Sequence, residues 1–429
     1  MEQSPHWAEI LPPATKGWPY GHPPVELGKV GQLGWKVLRQ DLPMPLAVLC
    51  QSALQHNAAW MRDFTRSFGV ELAPHGKTTM APRLFAQQLA DGAWGLTFAT
   101  VHQLGVAIRY GARRLILANQ VVGPDDIAQL ARWLQDMPEL ELHVLVDSEA
   151  GLKKLENGLV NVPKRLNVLL EIGVSGGRTG VRSGSDALAL ARTIAASSVV
   201  SLSGIETYEG LRVTGDDASD TRVVQALLAN VRAVALACDQ ENLWGRDEII
   251  LSAGGSAYFD IVARELPTSL SRPVRVVLRS GCYVSHDAAF YNRLFGALQA
   301  RSGVQWRERE GLREALEVWT RVQSCPEPGL AILSIGKRDA SHDIDLPIPK
   351  WYFRPEAHDE PAPAPKSWRI RKLNDQHAYL EFAEEGIAPA IGDLIGCGIS
   401  HPCTTFDKWQ WMPVVDDRYN VVDAIRTFF

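Results

Sequence analysis

Short runs of β-forming residues alternate with longer amphipathic stretches along most of this chain, and that alternation constrains its fold more than any other feature. Eight runs, at residues 70–73, 95–99, 114–118, 142–146, 166–172, 202–206, 249–252 and 274–278, have the apolar, β-branched character of buried strands. Between them lie segments such as APRLFAQQLADG, DIAQLARWLQDM and TRVVQALLANVRAVALACDQ, with apolar residues at three- and four-residue spacings. Such repetition implies right-handed crossovers and a parallel sheet. Eight units suggest a closed, TIM-like (β/α)8 barrel, although a doubly wound sheet fits the same alternation. After about residue 290 the texture changes. Runs at 319–323, 330–335, 367–373, 378–382 and 393–397 read as strands separated by Pro-rich turns such as PKWYFRPEAHDEPAPAPKS, predicting a mostly antiparallel β-domain. The expected organisation is α/β: an N-terminal extension over residues 1–44, packed on the β-domain, a barrel over 45–290 and a C-terminal β-domain over 291–429.

Composition narrows the function classes. The 429 residues carry 44 Lys+Arg against 49 Asp+Glu, a formal charge of −5 that argues against a nucleic-acid partner. No apolar run approaches the roughly 20 residues a membrane helix needs. The start, MEQSPHWAEILPPATKGWPYGHPP, lacks the basic and apolar regions of a secretory signal. The six cysteines are too sparse for a disulfide framework and read as cytosolic thiols, one or two of them available to a metal. A cytoplasmic protein acting on a small molecule is expected.

Barrel active sites sit at the C-terminal ends of the strands, so functional candidates should follow each strand. After the first comes Pro74-His75-Gly76-Lys77-Thr78-Thr79, whose Lys77 could form a Schiff base or simply be a solvated loop lysine. After the fifth, glycines surround Arg178 in Gly-Val-Ser-Gly-Gly-Arg178-Thr-Gly180, allowing close approach of an anionic oxygen to a fork of donors. After the sixth, Tyr208 could face a cofactor ring or pack at the rim. After the seventh, the amides of Gly254, Gly255 and Ser256 could form a nest for phosphate. The eighth ends at Arg279-Ser-Gly281-Cys-Tyr283, again donors and a glycine.

The late segment Gly-Ile-Ser-His401-Pro402-Cys403-Thr404-Thr405 differs in kind. In an extended stretch His401 and Cys403 would point to one side and could share a cation, and imidazole with thiolate suits zinc. A buried cysteine beside a satisfied histidine is the plainer reading. Further ligands are sought among Asp339, His342, Asp343 and His377.

Together these residues resemble the fold type III pyridoxal-phosphate enzymes of the D-serine dehydratase and D-threonine aldolase group, which carry an alanine-racemase-like barrel. The family's "LDxDALxxNI" opening looks like residues 47–61, and its "RPHxKT" lysine segment looks like Ala73-Pro74-His75-Gly76-Lys77-Thr78. Its "GxGRxGV" is similar to residues 175–181 and its "GIxxYxG" to residues 204–210. "SGGS" resembles Ser252-Ala-Gly254-Gly255-Ser256, "RPGxY" resembles Arg279-Ser280-Gly281-Cys-Tyr283, and "PSHxCxT" resembles residues 399–405. Ala73 stands where the family has arginine, Ser280 where it has proline, and the N-terminal extension is longer than usual.

The resemblance implies that Lys77 carries pyridoxal 5'-phosphate, that Arg178 bonds the ring's phenolic oxygen and that Tyr208 lies near the pyridine nitrogen. It implies that Gly254, Gly255, Ser256 and Tyr283 bind or border the phosphate, and that His401 and Cys403 hold zinc. The His-x-Cys pair is similar to that of zinc-dependent dehydratases, the aldolases more often having His-x-Asp. The implied activity is elimination of water from a D-3-hydroxy amino acid to give a 2-oxo acid and ammonia. The alternatives are aldolase cleavage to glycine and an aldehyde, racemisation, or non-catalytic binding of the cofactor. A homodimer is also implied.

Overall fold

The computed structural model describes residues 9–210, 214, 216–307, 309–383 and 385–429; the first eight residues of the expected N-terminal extension lie outside them. The chain divides into two compact units, one made of residues 61–77 and 85–281, the other of residues 1–60, 78–84 and 282–429.

Among the described residues, the first unit is a ring of eight parallel strands: Glu71–Leu72, Leu96–Phe98, Arg114–Gln120, Glu141–Val146, Leu166–Ile172, Val200–Thr207, Ile249–Ala253 and Val274–Leu278. The alternation of the sequence is therefore a barrel and not a doubly wound sheet. Its closure is explicit. The eighth strand pairs with the first through Val277↔Glu71 and Leu278↔Leu72. Between first and second, the Trp94 amide donates to the Leu72 carbonyl at 2.8 Å and that of Thr97 to Pro74 at 3.0 Å.

A layer of apolar side chains fills the ring: Ala73, Trp94, Ile116, Leu145, Leu169, Ile250 and Val277. The sixth strand contributes Gly204 at this level, opposite Leu169 and Ile250. A Cβ there would stand 1.9 Å from the Ile250 carbonyl oxygen, so glycine is required. Just before it a register shift lets Ser203 turn its hydroxyl to the Val168 carbonyl, 3.0 Å away.

Four of the outer helices start where capping side chains stand. Thr100 caps Val101–Arg109, Ser148 caps Glu149–Leu159, Ser183 caps Gly184–Ala196 and Asp216 caps Asp217–Gln240, each accepting an amide hydrogen bond three residues on. Asp217–Gln240 is long and apolar enough, by length and composition alone, to cross a membrane. Val224, Leu227, Leu228, Val231, Val234, Ala235 and Cys238 give it a buried stripe, the pattern of a helix covering a sheet.

The second unit is mostly antiparallel. Its spine, Leu316–Glu327, pairs antiparallel with Leu46–Cys50, Leu394–Gly398 and Leu330–Leu333. Strand Trp411–Val415 runs parallel to Leu46–Cys50 and antiparallel to Val421–Arg426. The segment read as a Pro-rich turn overlaps a strand, Ile348–Phe353, which pairs with Leu394–Gly398 despite a register shift after Pro349. A proline within a run demotes it in sequence, yet an edge position or an irregular register accommodates the missing N–H.

Trp18 and Trp35 join Trp319, Trp409 and Trp411 in one apolar core, so the N-terminal segment packs within this unit. The carboxylate of Glu317 is buried there and accepts hydrogen bonds from Trp351 Nε1 at 2.7 Å, Trp319 Nε1 at 3.0 Å and the Tyr419 hydroxyl at 3.0 Å. Burial pushes this carboxyl above its usual range, and the three donors oppose that push. Removing one donor leaves a buried oxygen short of a partner. Tyr419→Phe is therefore expected to lower unfolding free energy by about 1.5–3 kcal/mol, the range for hydrogen bonds to charged groups, with little change in urea m-value.

Candidate functional site

In the barrel unit, the residues singled out in sequence follow the C-terminal ends of strands. Lys77 lies in the 3-10 turn Gly76–Thr78 just beyond the first strand, with its side chain exposed. Gly76 makes that turn possible: a Cβ there would stand 2.3 Å from the Phe98 ring. His75 has a buried Nδ1 without a hydrogen-bond partner. Burial holds its pKa well below the ordinary value, and the charges of Lys77, Arg279 and Arg178 add to the effect, so the imidazole is neutral and three cations share its surroundings.

Arg178 is carried by the loop between Ile172 and Val181. Arg182 braces the loop, donating to the carbonyls of Thr179 at 2.7 Å, Arg178 at 2.7 Å and Gly177 at 3.1 Å. Gly180 has a φ of +92°, and a Cβ on it would meet the Gly173 amide nitrogen at 2.5 Å. Its own amide donates to Asp147 at 3.0 Å. The Arg178 guanidinium lies over the Tyr208 ring, 4.4 Å from its centroid, so the structure brings these two candidates together. Tyr208 also lines a cavity of about 230 Å³ with Ser175, Gly176, Gly177 and Glu209.

At the seventh strand's end the amides of Gly254 and Gly255 converge on one anion, as a phosphate nest should. That anion is the protein's own Glu209 carboxylate, at 3.0 and 2.7 Å. A Cβ on Gly255 would collide with it at 2.5 Å, and one on Gly254 would meet the Arg279 guanidinium at 2.4 Å. Ser280 donates to the Gly255 carbonyl at 2.6 Å, fixing the turn from the other side. Ser256 follows, half-buried.

Glu206 and Glu209 stood in the sequence motif around Tyr208 without a role. Glu206 pairs with the Arg279 guanidinium, which also donates to Ser252 Oγ at 2.6 Å and the Thr207 carbonyl at 3.1 Å. Burial pushes the Glu206 carboxyl up to about 8, outweighing the attraction of Arg279, and Glu171 and Glu209 add to the rise. Burial also raises Glu209, against the amides that hold it. A strand-end glutamate in an apolar run was the available signal; which cation or amide it would meet was not.

The second unit holds the other candidates. Tyr283 is buried in the 3-10 turn Cys282–Val284. His401 and Cys403 do not lie in an extended stretch. The strand ends at Gly398, Pro402 has helical dihedrals (φ −54°, ψ −45°), and Cys403 opens the short helix Cys403–Phe406. Proline's fixed φ suits the start of a helix, which the alternation argument overlooked. The two side chains are nevertheless close enough for each to shift the other's pKa.

Asp343 supports the pair, with Oδ2 2.6 Å from His401 Nδ1 and Oδ1 accepting from the Thr404 hydroxyl at 2.9 Å. The bond to Cys403 and that to Asp343 push His401 up to about 9, against burial. The Cys403 thiol lies well below its ordinary value, chiefly through a bond from Cys282, with His401 and Thr78 contributing. Cys282 is pushed well above by the same partner and by burial. Of the other candidate ligands, Asp339 is engaged by Lys16 at 2.7 Å. No group of three or more His, Cys, Asp or Glu side chains among the described residues is already arranged around a metal position. A thiolate-forming cysteine beside an imidazole whose other nitrogen is held by a carboxylate is a donor set that fits zinc.

A family profile described as "Alanine racemase, N-terminal domain" matches residues 49–273, just over half of the chain. The chain belongs to that family. Its members are pyridoxal-phosphate dependent, and the exposed Lys77 fits that cofactor, while the amides of Gly254 and Gly255 are held by Glu209. A second profile, "Putative serine dehydratase domain", matches residues 315–415. The fold is the alanine racemase-like one, a parallel barrel with an antiparallel β-domain, and the relatives are fold type III enzymes.

D-threonine aldolase of Arthrobacter sp is 25% identical over 401 residues, covering 92% of this chain and 94% of its own. The crystal structure of D-threonine aldolase from Filomicrobium marinum superposes with a TM-score of 0.74 at 22% identity, over 92% of this chain and 97% of that one. D-threo-3-hydroxyaspartate dehydratase from Delftia sp. HT23 superposes at 0.68 with 20% identity, over 92% and 99%. Solved forms of D-threo-3-hydroxyaspartate dehydratase also include a histidine-to-alanine variant and, for a cysteine two positions further on, an alanine variant in the metal-free form.

A phosphate and the Glu209 carboxylate cannot share the same two amides. Glu209→Gln removes the competing charge while keeping the side chain's shape, and is expected to tighten pyridoxal-phosphate binding severalfold in a spectrophotometric titration. Weaker binding would mean that Glu209 instead shapes the turn for the cofactor.

Proposed function

We propose that this chain is a pyridoxal-phosphate- and zinc-dependent lyase that eliminates water from a D-3-hydroxy amino acid, giving a 2-oxo acid and ammonia. The observation that carries the reading is the His401–Cys403 pair braced by Asp343, the same donor types, two residues apart, as those altered in D-threo-3-hydroxyaspartate dehydratase. In this reading Lys77 would hold the cofactor through its amine, and the same amine would take the α-proton of the substrate. Arg178 and Tyr208 orient the ring, and Gly254, Gly255, Ser256 and Tyr283 hold or border the phosphate.

Bound pyridoxal phosphate supplies the electron sink that makes α-proton removal feasible. Zinc supplies a Lewis acid for a β-hydroxyl that is otherwise a poor leaving group. His401 and Cys403 would hold the ion, and Asp343 would keep the imidazole turned toward it. The product assignment balances: loss of water across Cα–Cβ followed by hydrolysis releases one ammonia per 2-oxo acid.

The extent of the match to D-threonine aldolase, 92% of this chain, supports a second reading, retro-aldol cleavage of Cα–Cβ with the same lysine and metal. Products separate the two. The purified protein is expected to convert D-serine to pyruvate and ammonia in equal amounts, with loss of activity after chelation and recovery with zinc. Glycine and acetaldehyde from D-threonine, without ammonia, would establish the aldolase instead. Full activity in metal-depleted protein would favour a racemase. Lys77→Ala should abolish the cofactor's bound-state absorbance and turnover together, a loss of at least the 10²–10⁴-fold typical of a missing acid–base group. Turnover retained in that variant would remove the assignment.

A further inference from the structure

Two protein ligands are one fewer than a catalytic zinc ordinarily has; three, with a fourth position for water or substrate, are the rule. The sequence offered Asp339, His342, Asp343 and His377 for the missing place. The structure offers another residue. Cys282, buried in the 3-10 turn Cys282–Val284, has its Sγ 3.9 Å from that of Cys403. Two sulfurs each about 2.3 Å from a tetrahedral zinc stand about 3.8 Å apart, whereas a disulfide needs about 2.05 Å. The observed spacing is that of an edge of a zinc tetrahedron.

Three more features point the same way. Asp343 occupies His401 Nδ1 at 2.6 Å, leaving Nε2 as the ligating nitrogen, the usual arrangement of a carboxylate behind a metal-bound histidine. The Thr78 hydroxyl accepts from the Cys403 thiol at 3.5 Å and lies 4.0 Å from the Cys282 sulfur, so one side chain touches both thiols. The Cys282 backbone is pinned, its carbonyl accepting the His286 amide at 2.8 Å, so the thiol is presented from a fixed turn.

We propose that Cys282 is a third protein ligand of the zinc site, completing a Cys2His set with Cys403 and His401 and leaving one position of the ion open. The proposal rests on the zinc reading given above. Each ligating cysteine gives up its thiol proton to solvent on binding, so the ion gains two thiolates and a neutral imidazole. The donors must close around the ion by side-chain movement, because they are not already gathered about one point.

The test uses reduced, cofactor-loaded protein with one equivalent of zinc and reads the metal directly. Zinc K-edge absorption fine structure should show two sulfur neighbours at about 2.3 Å in the wild type and one in Cys282→Ser and in Cys282→Ala. Zinc affinity of both variants, measured by chelator competition, should fall by at least the 10–100-fold that loss of an outer-shell partner already costs. Cys397→Ser, altering a thiol buried in strand Leu394–Gly398, serves as the folding control and should keep both sulfurs. A single sulfur neighbour in the wild type, with unchanged affinity in both Cys282 variants, would overturn the proposal while leaving the His401–Cys403 site standing. Unchanged zinc content in Cys403→Ala would instead defeat the parent reading.

Discussion

One buried guanidinium organises the mouth of the barrel. Arg279 is 2% exposed and ties the ends of three strands together, through Glu206 and the Thr207 carbonyl on the sixth, Ser252 on the seventh and its own place after the eighth. Such a pair contributes little net stability, because desolvation offsets its attraction, but breaking it would strand a charge. What it gives the fold is geometry. Tyr208, Glu209, Gly254 and Gly255 all follow directly from the strand ends that Arg279 joins, so the orientation of the anion-binding amides depends on a residue whose own role is positional.

The barrel was legible because period and punctuation agree. All eight predicted runs overlap observed strands, and four of the helices begin at the Thr, Ser and Asp residues that can cap them. The β-domain was legible only where no proline interrupts. Ile348–Phe353 and Trp411–Val415 each contain one, and the pairing that rescues them comes from strands distant in sequence. Local pattern cannot supply that information. The resemblance identified Lys77, Arg178, Tyr208 and the glycines by type and order, yet Glu209 on the Gly254–Gly255 amides and Cys282 beside Cys403 were hidden. Both are contacts between residues 45 or more apart, set by strand ends and turns rather than by any periodicity.

The His401 segment shows a conclusion reached through the wrong geometry. Alternation along a strand was the argument for bringing His401 and Cys403 together, but a proline-initiated helical turn does it instead. The difference matters chemically. A turn leaves His401 Nδ1 free to meet Asp343 from a separate loop, and so the carboxylate holds that nitrogen and leaves Nε2 for another partner.

Gly204 carries a consequence out of proportion to its size. Its α-carbon lies so close to the Ile250 backbone that no methyl group fits, and it sits two residues before Glu206 in the same strand and four before Tyr208, which follows the strand's end. Any side chain at this position would wedge the sixth and seventh strands apart at mid-height, and the splay would be transmitted along both to their tips. Sequence drift at a residue that touches no ligand is thus policed by the chemistry it would misalign.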